Sequence, residues 1–499
     1  MDKIIQYFHE VCIKSFAEIQ ESFFQDPLHF AEFVSNVTGT VQELGLKFIE
    51  IILESMDQTI QNSVQRKLHW KVEKHDMKQL VTSLGTVHFH KTLFTSKDEY
   101  TDEGKEVMVY LLDKVLGFRE NQRLTEDACA KVYEEAVQTS YRRGGNAVND
   151  ADHVSKEAVK DILHATKFPP NFTTPAQKKE VEYLYIDADE DHYSLQFQEN
   201  KGDLETAENG HKKNGAITKL IYVYEGIAPD APKSKRYHLV NPHYFCRSDE
   251  DNKALWDEVY AYIDTTYNVE KIRQIYLNSD GGSWIKTGMD RIKGIQYVLD
   301  EFHLSKYILK MTRHMKDSQQ DARIEICQAI RGKSINDFEQ IVEKLKGCTD
   351  LEADHRKIED AAAYIRANWG AAKRRLWKKD GVVACSAEGH VSHVLSSRMS
   401  TRPMGWSRHG AAQMARLREW YYNGGSMLEL ARYQKVQLPV VAGLEKDVIS
   451  ASRMLADEAD HRPKSQRETA KYTEAISHSW SVQTQKQLKY YANHWLSSM

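Results

Sequence analysis

Tyr183-Leu184-Tyr185-Ile186-Asp187-Ala188-Asp189-Glu190-Asp191-His192 is an apolar run that turns acidic at its end. Read as a strand, its side chains alternate, so Asp187, Asp189 and Asp191 project to one face and Ile186, Ala188 and Glu190 to the other. Carboxylates crowded at a strand end repel one another. Two readings fit that pattern: an acidic strand end facing solvent, or a site where a divalent cation relieves the repulsion, since Mg²⁺ takes one or two carboxylates together with water and phosphate oxygens.

Working outward, the spacing predicts strand over 181–197, an exposed polar loop over 199–214 and strand over 216–224. An amphipathic helix follows over 252–267, then strand over 272–278, strand over 294–299 and helix from Leu304. This order of strands and helices is compatible with a ribonuclease-H-like sheet. Ile275-Tyr276-Leu277-Asn278-Ser279-Asp280-Gly281-Gly282-Ser283-Trp284-Ile285 is an apolar strand that delivers Asp280 at its end. The two glycines permit a tight turn and close approach to a ligand, and also suit an ordinary turn. In Leu299-Asp300-Glu301-Phe302-His303-Leu304, Asp300 caps the helix or ligates a metal, and His303 is structural or supports an active site. Residues 311–380 read as an all-helical insertion. Past it, Cys385-Ser386-Ala387-Glu388-Gly389-His390 opens a helix carrying an isolated acid, Glu388, to be paired with arginine or held as a metal ligand. His390 and His393 lack the partners that would complete a zinc site.

Charge is distributed unevenly. The chain carries −4 overall, which argues against nucleic-acid binding by global electrostatics. Residues 371–418 nevertheless hold Lys373, Arg374, Arg375, Lys378, Lys379, Arg398, Arg402, Arg408, Arg416 and Arg418 against Asp380 and Glu388, a local charge of +8. That is the footprint of a phosphate-binding surface or of a solvated helical face.

Upstream, residues 1–66 read as helical, with Phe30, Phe33, Val34, Val37, Val41 and Leu44 at helical intervals, to pack internally or pair with a second subunit. Residues 67–168 read as a small hairpin plus a helix-turn-helix-like pair, Glu126–Ser140 and Ser155–His164, with Arg142 to Gly145 in the intervening loop. Lys156 and Lys160 then stand near DNA phosphates, or the pair is a plain helical hairpin. The core spans 169–310, resumes over 381–425 after the insertion, and gives way to a helical tail at 426–499. Six cysteines without a C-x-x-C pair point to buried reduced thiols. The opening residues lack a secretory pattern and no run is long enough to span a bilayer, so a cytoplasmic protein that does not enter membranes is expected.

Taken together, Tyr185 to His192, Asp280 to Ile285, Leu299 to Leu304 and Cys385 to Ser407, ending Arg402-Pro403-Met404-Gly405-Trp406-Ser407, resemble the ISLre-type insertion-sequence transposases, within the Mutator-like group of DDE enzymes. The resemblance covers nearly the whole chain. It implies a ribonuclease-H-like core with a long all-α insertion, and a catalytic triad on Asp189, Asp280 and Glu388, with Asp187, Asp191 and Asp300 as further ligand candidates. It implies two Mg²⁺ or Mn²⁺ ions about 3.5 to 4 Å apart, one activating water or a 3′-hydroxyl and one stabilising the leaving oxygen. The implied partners are double-stranded transposon-end and target DNA, bound by a homo-oligomer near the bacterial nucleoid. A catalytically inactive DNA-binding descendant and a nuclease or resolvase without strand transfer are the alternatives.

Overall fold

The computed structural model describes residues 2–436, except 120, 197–204, 207–211, 214, 249–250, 333, 378–380 and 403. Most of the expected tail beyond helix Met427–Val436, the DNA-contact candidates Lys378 and Lys379, and most of the expected loop over 199–214 therefore lie outside the described residues. The described residues divide into two units, one made of 2–136, 141–159 and 431–436, the other of 137–140 and 160–430.

In the first unit a 33-residue helix, Phe30–Asn62, precedes three antiparallel strands, Trp70–Val81, Thr86–Tyr100 and Glu106–Val109. The first two form a long hairpin, far larger than the small one expected, turning at Gly85, whose φ of +150° suits glycine. Its core gathers Leu53, Ile60, Leu80, Val87, Phe89, Phe94 and Leu112. The apolar stripe on the first half of the helix is not part of that core: Phe30, Val34 and Val41 are exposed. Arg142 to Gly145, expected as a loop, fold as the short helix Tyr141–Asn146 between Glu126–Ala136 and Lys156–Ala165. The glycines there serve close packing, for a Cβ on Gly145 would meet the Val154 carbonyl at 1.9 Å.

The second unit is a mixed α/β structure around five core strands: Tyr183–Ser194, Gly215–Tyr224, His243–Arg247, Gln274–Ser279 and Ile295–Leu299. Their order across the sheet is third, second, first, fourth, fifth. The first three pair antiparallel, while the fourth runs parallel to both the first and the fifth. Strand alternation then gives the sheet two faces. Leu184, Ile186, Ala188 and Leu277 pack against helices Asn252–Thr266 and Ser283–Arg291 through Trp256, Val259, Ile263 and Ile285. Asp187, Asp189 and Asp191 belong to the other face.

After the fifth strand, Asp300 caps helix Glu301–Thr312, and helices Gln319–Gly332, Ile335–Lys346, Glu352–Ala367 and Trp369–Trp377 follow. They enclose a core of their own around Met311, Ile326, Phe338, Val342, Ile358 and Ile365. Among the described residues, no helix is long and apolar enough to cross a membrane. Of the six cysteines only Cys12 and Cys246 are buried, and Cys348 is exposed, because it sits just past the end of helix Ile335–Lys346.

Candidate active site

The middle of the first strand and the end of the fourth, neighbours in the sheet, carry the candidate acids. In the parallel ladder Asp187 is opposite Asn278. Two residues on, Asp189 continues the first strand while Asp280 lies one residue past the end of the fourth, near enough for its charge to act on Asp189. Asp280 is oriented locally: the Gly282 amide donates to its Oδ1 at 2.9 Å, and the Tyr364 hydroxyl donates to its carbonyl at 2.5 Å. Gly281 has φ +90°, and a Cβ there would meet the Tyr297 hydroxyl at 2.5 Å and Asn368 Oδ1 at 2.7 Å, so the turn after Asp280 requires glycine. The Trp284 indole, beyond that turn, donates to Glu190 Oε2 at 2.6 Å and ties the turn to the first strand.

Glu388 arrives from a distant part of the chain, on a helical segment that begins at Ala387 and passes through a π-helical stretch, Val391–Ser396, before Ser397–Met399. Asp187 anchors it. This fully buried carboxylate accepts from the Tyr222 hydroxyl at 2.8 Å and the Tyr224 hydroxyl at 3.0 Å. It also accepts from Asn278 Nδ2 at 2.7 Å and the Ser386 amide at 3.0 Å. Both oxygens are thus occupied, which takes Asp187 out of the ligand candidates and makes it the joint between the sheet and the Glu388 segment. Asp191 has a related part: its Oδ1 accepts from Ser396 at 2.8 Å and Ser400 at 2.9 Å. Its Oδ2 is buried with no hydrogen-bond partner among the described residues. Asp300 is also engaged, accepting from the His303 amide at 3.3 Å and meeting His303 Nδ1 at 2.9 Å.

The electrostatics join the three acids. Burial pushes the half-buried Asp189 carboxyl up to about 7, and the charges of Asp280 and Glu388 push the same way, while the Glu190 amide and His303 oppose them. The His303 imidazole is held above its ordinary value by its hydrogen bond to Asp300 against the effect of burial, with Asp280 and Asp189 adding to the rise. Burial would raise Asp300, but the bonds from His303 outweigh it and hold that carboxyl low.

Asp189, Asp280 and Glu388 offer hard oxygen donors, the donor type that Mg²⁺ or Mn²⁺ takes. They do not form a closed cage: among the described residues, no group of three or more His, Cys, Asp or Glu side chains is gathered closely enough to hold a metal ion. His390 is engaged elsewhere, with its Nδ1 3.1 Å from the Tyr244 hydroxyl and its ring over Tyr222.

The expected basic surface is much reduced. Arg375 is 3% exposed and donates to the Leu299 carbonyl at 2.8 Å, the Val383 carbonyl at 2.6 Å and Asn278 Oδ1 at 2.7 Å. Arg398 is buried with its guanidinium over the Trp406 ring. Arg418 is buried too, donating to the Val394 and Val137 carbonyls. Arg375 and Arg418 thus spend their donors on carbonyls inside the fold, and burial removes Arg375 and Arg398 from the DNA contacts. Arg374, Arg402 and Arg408 are exposed and Lys373 is half-buried. Lys156 and Lys160 are exposed beside Glu157 and Asp161, at 3.4 and 3.2 Å. Ser386, Asn278, Tyr222 and Tyr224 had no signal in the sequence beyond strand alternation, which places Asn278 at the same depth as Asp187.

A sequence profile of UPF0236, described as an uncharacterised protein family, matches residues 23–436. One UPF0236 protein of Caldanaerobacter subterraneus subsp. tengcongensis is 34% identical over 406 residues, 81% of this chain and 81% of its own. Another from that organism is 33% identical over 413 residues, 82% of this chain and 81% of its own, and its name joins eleven locus designations. Among solved structures, the Drosophila P element transposase strand transfer complex aligns with 69% of this chain and 87% of that chain, at 10% identity and a TM-score of 0.20. So loose a superposition carries no argument.

Proposed function

We propose that this chain, which belongs to the UPF0236 family, is the transposase of an insertion sequence, cutting DNA at the element's ends and joining the freed 3′-hydroxyl to target DNA. The observation that carries this reading is the parallel pairing of Asp187 with Asn278, with Asp189 two residues on, Asp280 just past the end of its strand, and the charges of Asp280 and Glu388 both acting on Asp189. The mixed five-stranded sheet, interrupted by a helical insertion before Glu388, supports a ribonuclease-H-like core.

Support of another kind comes from the relatives. One sequence bears eleven locus designations in a single organism, and two others bear four and two. An element that copies itself leaves such a set, whereas a resident nuclease or resolvase has no reason to multiply. Divalent ions, when held by Asp189, Asp280 and Glu388, would supply Lewis-acid stabilisation of charge at the phosphorus. The chain's own residues prepare the site. Asp187 and Gly281 hold the segments that carry the acids, and the hydrogen bond to Asp300 favours the protonated form of the His303 imidazole, in which it is able to steady a phosphate oxygen. Among the described candidates, Arg374, Arg402 and Arg408, with Lys156 and Lys160, are exposed cations able to contact the DNA backbone.

The test is cleavage of a duplex carrying the element's own ends, with Mg²⁺. Asp280→Ala and Glu388→Ala are each expected to lower cleavage by about 10² to 10³-fold or more, with end binding retained. Cleavage retained by either variant overturns the assignment.

A further inference from the structure

The first unit contains a site that this chemistry does not use. A cavity of about 840 Å³ is lined by Lys78, Lys91, Tyr110, Asp113, Lys114 and Phe118, among others. That is the size of a small-molecule site. Lys78 and Lys91 project from adjacent strands of the hairpin and are each 8% exposed. Lys78 Nζ lies 3.1 and 3.2 Å from the two Asp113 oxygens, and Lys91 Nζ lies 2.5 Å from Asp113 Oδ2.

Two buried ammonium groups thus share one carboxylate. Asp76, another acid lining the cavity, is already engaged by the Tyr110 hydroxyl at 2.5 Å and by Lys74 at 3.1 Å. Lys114 and Arg123 line the same space and add to the positive excess. A buried charge without a full counter-charge is costly. Burial accordingly pushes Lys78 down, and its neighbour Lys91 pushes the same way against the pull of Asp113. Cation–π contacts offset part of that cost: Lys91 Nζ sits 3.5 Å from the centre of the Tyr110 ring and Lys78 Nζ 5.0 Å from that of Phe118. A small anion would neutralise the pair but would leave most of the cavity and its aromatic lining unused.

We propose that this cavity binds a phosphate-bearing ligand of mononucleotide size, with the phosphate on Lys78 and Lys91 and the ring system against the aromatic lining. A phosphate has the charge and the acceptor oxygens to engage both ammonium groups. A free nucleotide and the terminal nucleotide of a DNA strand present the same chemistry. The proposal stands independently of the catalytic reading.

Calorimetric titration of the full chain at fixed ionic strength separates these sources. The probes are inorganic phosphate, adenosine monophosphate, and a single-stranded oligonucleotide with and without a 5′-phosphate. Saturable binding of the mononucleotide identifies a free nucleotide; binding of the oligonucleotide that depends on its 5′-phosphate identifies a strand end. In either case Lys91→Met weakens binding about tenfold or more, since a charge-assisted hydrogen bond is lost. Lys114→Ala, at a half-buried position, weakens it several-fold and keeps the test decisive should Lys91→Met fail to fold. No saturable binding of any probe, or binding that neither substitution weakens, overturns the site. Equal affinity for inorganic phosphate and the mononucleotide overturns the nucleotide assignment.

Discussion

Replacing Asp187 with asparagine exchanges one carboxylate oxygen for an amide that can only donate, at a point where four donors converge. If the new amide takes the place of Oδ2, it faces the Ser386 amide and the Tyr222 hydroxyl; if it takes the place of Oδ1, it faces Asn278 Nδ2 and the Tyr224 hydroxyl. A tyrosine hydroxyl can turn and accept. The backbone amide and the asparagine amide cannot. One donor is therefore left unsatisfied in either rotamer, and the surviving bonds lose their charge assistance. With about 1.5 to 3 kcal/mol for a hydrogen bond to a charged group, the net loss is about 2 to 4 kcal/mol. Urea denaturation of wild type and Asp187→Asn measures it. The same variant should cleave element ends at least about tenfold more slowly, because the Ser386 anchor of Glu388 is weakened. Stability within about 0.5 kcal/mol of wild type, together with unchanged cleavage, would refute the role given to Asp187.

Arg375→Met should destabilise the fold by about 3 kcal/mol or more, leaving three buried acceptors unsatisfied, without changing the salt dependence of DNA binding. Arg374→Ala should reduce that dependence by about one phosphate contact and lose only the hydrogen bond its Nη1 gives the Tyr297 carbonyl at 3.0 Å, so the opposite pattern on salt titration counts against the division between buried and exposed arginines. Gly281→Ala should cost about 1 to 3 kcal/mol, read as a fall in Tm, because φ is +90° and the methyl meets Tyr297 and Asn368. Asp189 gives a pH signature. Its folded-state value of about 7 lies above the unfolded value of about 3.9, so its contribution is fully present below about pH 4 and is lost as pH rises through 7. In metal-free solution Asp189→Asn should flatten that decline and leave the chain more stable than wild type at pH 8; a thermal-melt series in which both decline alike refutes the burial argument.

The apolar runs before Asp189 and before Asp280 were enough to read the strands, because a strand covered on both sides shows as a short, largely continuous apolar run. Alternation placed Asp187, Asp189 and Asp191 on one face, yet it had no means of ranking them. Rank depends on partners: the four donors on Asp187 lie 35, 37, 91 and 199 residues away, and the hydroxyls on Asp191 lie 205 and 209 away. Periodicity carries nothing across such distances. The basic segment failed as a guide for the same reason. A count of +8 treats every cation as surface charge, but a guanidinium has five donors and is the side chain best suited to collecting orphan carbonyls inside a fold, as Arg375 and Arg418 do. An arginine that follows a helix full of alanines, as Arg375 follows Ala371 and Ala372, lies on a buried face by that helix's own period. Local charge therefore points to a DNA surface only after the helical period has removed the arginines that face inward. Applied to residues 369–377, that correction keeps Arg374 and withdraws Arg375.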